Sequence, residues 1–377
     1  MQAEKDIIDT IQLINSGNIG PITFYKLCQS FGSAAQALDN LPAKSKIFPR
    51  SQAVRELELA KNLGIRILTC QDSDYPENLR SVEDAPPLLY VKGNPGCLNS
   101  PLSLSIVGAR NASLPGRKLA SKIAYDLTEE GIMIISGMAR GIDTAAHKGA
   151  MYACNQQGRT IAVLGTGVDI AYPSENQKLY EQIAENGAVI SEFPLGTEPT
   201  ANNFPRRNRI VSALSNGTLV VEATLHSGSL ITARLAMEQG RDVFAVPGFP
   251  ADGRSSGPNK LIKDGAALVE NAEDILNIFN YTNHCQIKKL SRPVQKDLFA
   301  KSLDKELKTA DIPVAIPPLT ATEKVDIRDY LSPGGVYVDE IIRDSGLDSA
   351  TVSLQLLELE MAGEIEHQVG NKVALIK

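Results

Sequence analysis

The stretch FPRRNRIVSALS, Phe204 to Ser215, sets Arg206, Arg207 and Arg209 around Asn208 just before an apolar helical stripe. Guanidinium suits phosphate because its planar fork donates two hydrogen bonds together. A helix start adds unpaired N–H groups and a partial positive charge. The surrounding chain is acidic, with 38 Lys and Arg against 44 Asp and Glu. The cluster is therefore either a solvated helix end or one wall of an anion site. Helical geometry keeps the three arginines from all pointing the same way.

Permissive segments of similar chemistry follow several β-rich runs. After LSIVG, which ends at Gly108, come Ala109, Arg110 and Asn111. IMIIS is followed by GMARGIDTAAH, with Gly137 and Arg140, and IAVLG ends at Gly165 before TGVDIAYPSEN. TLVVEA leads into TLHSGSLITAR, with Ser227, Gly228 and Ser229. Glycine there lets backbone N–H groups approach an anion closely. Any one such glycine reads most simply as turn chemistry, but five glycine- or arginine-bearing loops on one edge point to a shared site. Gly165-Thr166-Gly167 is not the dinucleotide fingerprint, because Ile170 stands where the third glycine would fall. Walker A, HExxH and GxSxG patterns are absent. Glu222, His226, Ser227 and Ser229 lie close in sequence, but proximity is not a triad. His147, Asp143 and Asp169 read as packing, cap or turn residues. The expectation is a binding protein that uses no cofactor and no metal, not an enzyme.

These loops need a scaffold. Near-continuous Val/Ile/Leu strands are expected at 65–68, 88–91, 104–108, 132–136, 161–165, 188–192, 218–223 and 242–248, with amphipathic helices between most of them. That alternation predicts a doubly wound, Rossmann-like α/β domain over 65–280, with ligands at the carboxyl ends of its strands. Residues 1–64 read as a helical domain. Its NSGNIGP turn resembles a helix-hairpin-helix unit, although the turn has no arginine of its own and its nearest lysine is Lys26. Residues 281–318, lysine- and proline-bearing with weak periodicity, read as a linker. Residues 319–377 read as three helices, the third capped by Asp348 or Ser349, then a β-hairpin turning at Gly370-Asn371, the pattern of a winged helix.

Composition bounds the alternatives. With 377 residues, 43 % hydrophobic and 22 % charged, the chain is an ordinary globular protein of about two or three domains. No apolar run reaches the roughly 18 residues of a membrane span, and the amino terminus does not read as a secretory signal. Five scattered cysteines without metal spacing suit a reducing cytoplasm. No domain is broadly basic: residues 319–377 hold 5 basic and 11 acidic side chains, so a polyanion would need a local cluster elsewhere.

SIVGARNASLPG, SGMARGIDTAAHKGA, GTGVDIAYPSEN, ISEFPLGTEPTANNFPRRNRIVSALS, VVEATLHSGSLITARLAMEQGRDVFAVPG and GPNKLIKDGA together resemble the DNA-processing protein A family (DprA, also called Smf). The resemblance covers about 65–280 in order. Residues 1–64 are similar to the family's sterile-alpha-motif-like domain and the carboxyl terminus to its winged helix. It implies an extended Rossmann fold that binds single-stranded DNA without chemistry, dimerises, and loads RecA recombinase onto incoming DNA in natural transformation. Carried over by position, it places Arg110, Arg206, Arg207 and Arg209 in the family's DNA-binding pocket, with Phe204 where a base can be met; Gly108, Gly137, Arg140, Gly165, Lys178, Asn208, Ser227, Gly228 and Ser229 complete the expected DNA-binding set. Ile231, Met237, Asn259 and Leu261 fall on the implied homodimer surface. With aromatics at 5 % and no Trp, a phosphate-dominated pocket is expected, salt-dependent and nearly blind to sequence. The alternative is a Rossmann protein that binds, or binds and hydrolyses, a nucleotide or a nucleotide derivative. The expected recognition helix of the winged helix has no Lys or Arg, which suits protein better than DNA.

Overall fold

Leu89 and Val91 lie in one apolar core while their strand neighbours Leu88 and Tyr90 lie in another, as strand alternation requires of a sheet buried on both faces. The computed structural model describes residues 2–153, 160–287, 326–331, 335–368 and 372–376. Residues 1–270 form one compact unit and residues 271–377 another.

In the first unit, helices α1 (Gln2–Ile14), α2 (Pro21–Phe31), α3 (Ala34–Asp39) and α4 (Arg50–Asn62) precede the sheet. Strands β1 (Arg66–Thr69) and β2 (Leu88–Gly93) flank the short α5 (Glu77–Arg80). Then follow β3 (Ser103–Val107), α6 (Leu114–Glu129), β4 (Met133–Ser136), α7 (Ile142–Tyr152), β5 (Thr160–Val163), α8 (Gln177–Asn186) and β6 (Ala188–Ser191). The unit closes with α9 (Asn203–Leu214), β7 (Gly217–Val220), α10 (Gly228–Glu238), β8 (Asp242–Ala245), α11 (Ser256–Lys263) and β9 (Ala267–Leu268). All eight expected strands are present, and β9 is an addition too short to carry a pattern.

The sheet order is β1-β2-β6-β5-β4-β3-β7-β8-β9. From β6 to β9 the pairs are parallel, whereas β1–β2 and β2–β6 are antiparallel. The sheet is thus mixed, a Rossmann-like core widened by an antiparallel edge. Connections leave β3 towards β4 on one side, while β7 sits on its other side. This makes a topological switch point, where open α/β sheets bind ligands. Helix α9 is the long crossover from β6 to β7, and it contacts β3, β4 and β5 on the way.

The amino-terminal helices share a core with the sheet. Ile11 of α1 and Ala53, Leu57 and Ala60 of α4 are buried with Tyr90, Ala162 and Val189. Pro21 opens α2 in its first turn, where its missing N–H costs nothing.

In the second unit, α12 runs Ala272–Ile287, into the segment expected as linker. No Pro or Gly interrupts it before Pro293. The rest of that segment, 288–318, lies outside the described residues. A 3-10 turn, Ile327–Tyr330, stands where the first of three helices was expected. Strand β10 (Val336–Tyr337), α13 (Val338–Ser345), α14 (Ser349–Met361), β11 (Ile365–Gln368) and β12 (Lys372–Leu375) follow. Asp348 caps α14 by accepting from Thr351 N at 2.9 Å. The strands pair in the order β10-β12-β11, the sheet of a winged helix. The turn expected at Gly370-Asn371 lies outside the described residues.

Candidate nucleic-acid interface

At the switch point the loops after β3, β4 and β7 and the start of α9 surround a cleft of about 790 Å³. Arg110, Asn111, Tyr172, Phe204, Asn208, Ser227, Gly228 and Ser229 line it. A second lobe of about 460 Å³ adjoins it, adding Gly137, Arg140, Gly165 and Glu175. Arg110, Tyr172, Phe204 and Arg207 line both lobes.

The partition between the lobes is aromatic. Phe204 and Tyr172 lie 5.6 Å apart, centroid to centroid, at 36°. The Arg110 guanidinium stands 5.4 Å from the Phe204 ring. Arg110 is exposed and has no carboxylate partner among the described residues. A guanidinium on a ring face still has its N–H edges for phosphate. Tyr172, 39 % exposed, is the site residue that sequence reasoning passed over. It sits in the quoted loop TGVDIAYPSEN, and its being an aromatic among turn residues was the available signal.

The arginine cluster divides three ways. Arg207 is only 5 % exposed, and its Nη1 donates to the Gly137 carbonyl and, at 2.6 Å, to the Val163 carbonyl. It ties α9 across the ends of β4 and β5. Arg209 pairs with Glu192 and donates to the Asp84 carbonyl at 2.6 Å. Arg206 turns out over the Phe193 ring at 4.8 Å and reaches Glu192 at 3.7 Å. Neither Arg206 nor Arg209 lines the two lobes. Arg206 instead lines a separate cleft of about 290 Å³ with Gly17, Ile19, Gly20 and Pro21. The hairpin turn without an arginine of its own thus meets one from α9. Arg140 is exposed and paired with Glu175. Lys178 is exposed on the first turn of α8 and lines neither lobe.

The glycines expected to cradle an anion make room for side chains. A Cβ on Gly137 would occupy the Arg207 guanidinium, one on Gly108 would meet the Ile142 side chain at 2.6 Å, and one on Gly165 would touch the Phe204 ring at 3.0 Å. Gly141, with φ of 76°, is the conformational glycine of the site, and a Cβ there would strike the Ala109 and Arg110 carbonyls. The α10 start also lies at the cleft. Ser227 caps it, Ser227 Oγ and Ser229 Oγ lie 2.7 Å apart, and Asn208 Nδ2 donates to the Gly228 carbonyl at 3.2 Å. The positive end of that helix opens onto the cleft.

Asp143, nearly fully buried in the cleft wall, accepts from Gly137 N at 3.1 Å and Ala139 N at 3.3 Å. Burial pushes its carboxyl up to about 6, against the pull of Arg207. One helical turn on, His147 is buried beside Thr160 Oγ1 at 2.7 Å, and burial and then Arg207 push it down to about 3. Burial likewise lowers Arg207 and raises Glu192. Glu222 accepts from Ser113 N at 2.8 Å and Ser113 Oγ at 2.5 Å, pinning the start of α6. Among the described residues its side-chain hydrogen bonds are with Ser113, while Ser227 Oγ meets Ser229 Oγ.

Of the four expected assembly residues, Ile231 and Met237 are exposed. Leu261 is 8 % exposed and belongs to its own chain's core. Asn259 is engaged with the Gly248 carbonyl at 2.8 Å. The exposed apolar residues Phe249 and Leu268 of the same unit went unnoticed in the sequence. Among the described residues, no helix is long and apolar enough to cross a membrane.

Comparison with known proteins gives this site its context. Residues 66–280 match the sequence model of the DNA recombination-mediator protein A family, residues 4–62 that of the DprA-like N-terminal HHH domain, and residues 313–371 that of the DprA winged helix domain. The chain is 39 % identical over 329 residues to Protein Smf of Escherichia coli (strain K12), covering 87 % of this chain and 82 % of that one. It is 46 % identical over 210 residues to DNA processing protein DprA of Streptococcus pneumoniae, covering 56 % of this chain and 73 % of that one. The X-ray structure of DprA from S. pneumoniae superposes with TM-score 0.57 at 35 % identity, over 73 % of this chain and 94 % of that one. A Helicobacter pylori DNA processing protein A, whose structure addresses its single-stranded DNA binding mode, superposes with TM-score 0.52 at 30 % identity, over 58 % and 96 %. By sequence, domain content and fold, the chain belongs to the DNA recombination-mediator protein A family.

Proposed function

We propose that this protein binds single-stranded DNA along the carboxyl edge of its sheet, without chemistry, and delivers the strand to RecA recombinase in the cytoplasm. The carrying observation is Arg110, an exposed guanidinium with no salt-bridge partner among the described residues, held over Phe204 beside Tyr172 between two adjoining lobes. Arg110 and the amino end of α10 supply positive charge for consecutive phosphates. The Tyr172–Phe204 pair supplies a face on which one or two bases stack, worth about 1–3 kcal/mol per base. A duplex keeps its bases paired and offers no such face. The single-stranded DNA binding addressed in the H. pylori relative supports the same ligand class. Assembly into a homodimer through the Ile231–Met237 surface would set two clefts on one strand and raise avidity.

Gel-shift titration with single- and double-stranded oligonucleotides across a salt series tests this reading. The expected outcome is preference for the single strand and an affinity that falls steeply as salt rises. Equal binding of both forms overturns it. The cleft of about 790 Å³ is also large enough for one nucleotide. Calorimetry with a mononucleotide against a short oligothymidine separates the two readings. Tight mononucleotide binding with no gain from length establishes the smaller ligand.

A further inference from the structure

Helix α14 occupies the place of the recognition helix in the winged helix, and it is apolar on two opposite faces. Val352, Leu356 and Leu359 point inward and are buried. Leu354, Leu357 and Met361 point outward, 58 %, 51 % and 83 % exposed. At 100° per residue the second stripe lies opposite the first. A helix apolar all round is normally covered on both sides. Glu358 and Glu360 border the outer stripe on either side, and α14 has no Lys or Arg. The whole segment 319–377 carries 11 acidic and 5 basic side chains. A DNA-reading helix presents cations and amides to bases and phosphates, and this face presents none to either.

We propose that the outer face of α14 is a docking surface for a protein partner that contributes an amphipathic helix, its apolar stripe bordered by Lys or Arg. The apolar stripe supplies contact area, and the acidic border selects a basic rim and rejects an acidic one. The same border opposes a second copy of this helix, whose own face is acidic. Duplex DNA is disfavoured by the same charges.

The test uses the full chain and a fluorescent synthetic helical peptide of Leu and Lys, with Leu at positions i, i+3, i+4 and i+7. Two controls accompany it, one with Glu for Lys and the same apolar stripe, one with Ser for Leu and the same charges. Anisotropy titration is expected to show binding of the Leu/Lys peptide alone. The double variant Leu357→Ser/Met361→Ser should weaken it at least about tenfold, as loss of central anchors does. Glu358→Lys should weaken it through charge and leave the apolar stripe intact. Circular dichroism melts of each variant keep loss of folding separate from loss of docking. The proposal is overturned if the Leu/Lys peptide fails to bind, or if it binds the folded variants as well as the parent. It is equally overturned if those variants lose duplex DNA binding, or change the sedimenting mass of the protein alone, since the face would then serve DNA or self-association.

Discussion

Two helices of this protein present their amino halves or outer faces to solvent, and they do so in opposite chemistry. Helix α9 carries three arginines beside the carboxyl ends of the parallel strands of a mixed sheet. Helix α14 brings leucines and glutamates to the place where a winged helix reads DNA. The chain as a whole carries −6, so net charge distinguishes neither. What differs is how each charge is partnered. On α9, Arg207 is consumed by two backbone carbonyls and Arg209 by Glu192 and Asp84. Among the described residues, Arg110, from the loop after β3, is exposed at the cleft without a salt-bridge partner. A cluster of arginines in the sequence therefore marks the place of the cleft, while the exposed guanidinium that lines it comes from another loop.

The sharpest way to break this division is Arg207→Ala. It leaves the Gly137 and Val163 carbonyls without their donor and Asp143 without its nearest balancing charge. Removing one partner of a buried charged group costs about 3–5 kcal/mol. A large fall in the urea unfolding midpoint is expected. An unchanged midpoint would show that Arg207 is a ligand contact and not a strut.

The next effect is a pH response from the same buried layer. His147 is held down at about 3 from an ordinary 6.5, so the unfolded chain takes up that proton first. Its contribution to stability is lost as pH falls from 6.5 towards 3, about 2 kcal/mol by pH 5. Asp143 is held up at about 6 from 3.8, so the folded chain takes up that proton first, and stability is gained as pH falls through 6 towards 3.8. The two oppose one another between pH 4 and 6. Asp143→Asn removes the compensating member, so its stability should fall more steeply between pH 7 and pH 5 than the parent's. Parallel stability curves for parent and variant would separate the two groups from the fold's acid response.

Arg110→Ala comes third and acts on the other side of the division. Single-stranded DNA affinity should drop by about 1–3 kcal/mol, the range for a charged hydrogen-bonding group, with the unfolding midpoint unchanged. Together with Arg207→Ala it makes a double dissociation between binding and stability. An unaltered filter-binding isotherm for Arg110→Ala would remove Arg110 from the site.

This contrast also marks what was legible in the sequence. The eight strands could be read because each is a short Val/Ile/Leu run, and runs of that kind keep their identity whatever packs on them. Parallelism could be read where helices intervene, and failed at β1 and β2, where only the short α5 and loops connect the strands. The loops at the carboxyl edge could be placed because strand direction alone puts them there. Which way Arg206, Arg207 and Arg209 point could not be read, since it depends on the phase of α9 against β4 and β5. The carboxylate Glu192, buried and pushed up by that burial, is what captures Arg209. No spacing rule links the two residues. Gly137 and Gly165 also admit Arg207 and Phe204, a tertiary fact invisible in a motif.

Arg206→Ala is the smallest perturbation and the most discriminating for strand path. Arg206 is exposed, stacked on Phe193, and faces the cleft lined by Gly17, Gly20 and Pro21. Arg206 meets the buried Glu192 side chain only at 3.7 Å and from its own exposed side, and Glu192 keeps Arg209, so the loss should cost folding little, about 1 kcal/mol or less. An oligonucleotide short enough to fill only the Arg110 cleft should bind the variant as it binds the parent. A longer one, able to pass from that cleft to the amino-terminal turn, should lose about 1 kcal/mol or less, with a slightly shallower salt dependence, as expected for one phosphate contact fewer. Loss that is equal for short and long strands would place Arg206 at the first cleft after all. Loss that grows with length would join the two clefts into one track across α9, with Arg110 at one end and the hairpin turn at the other.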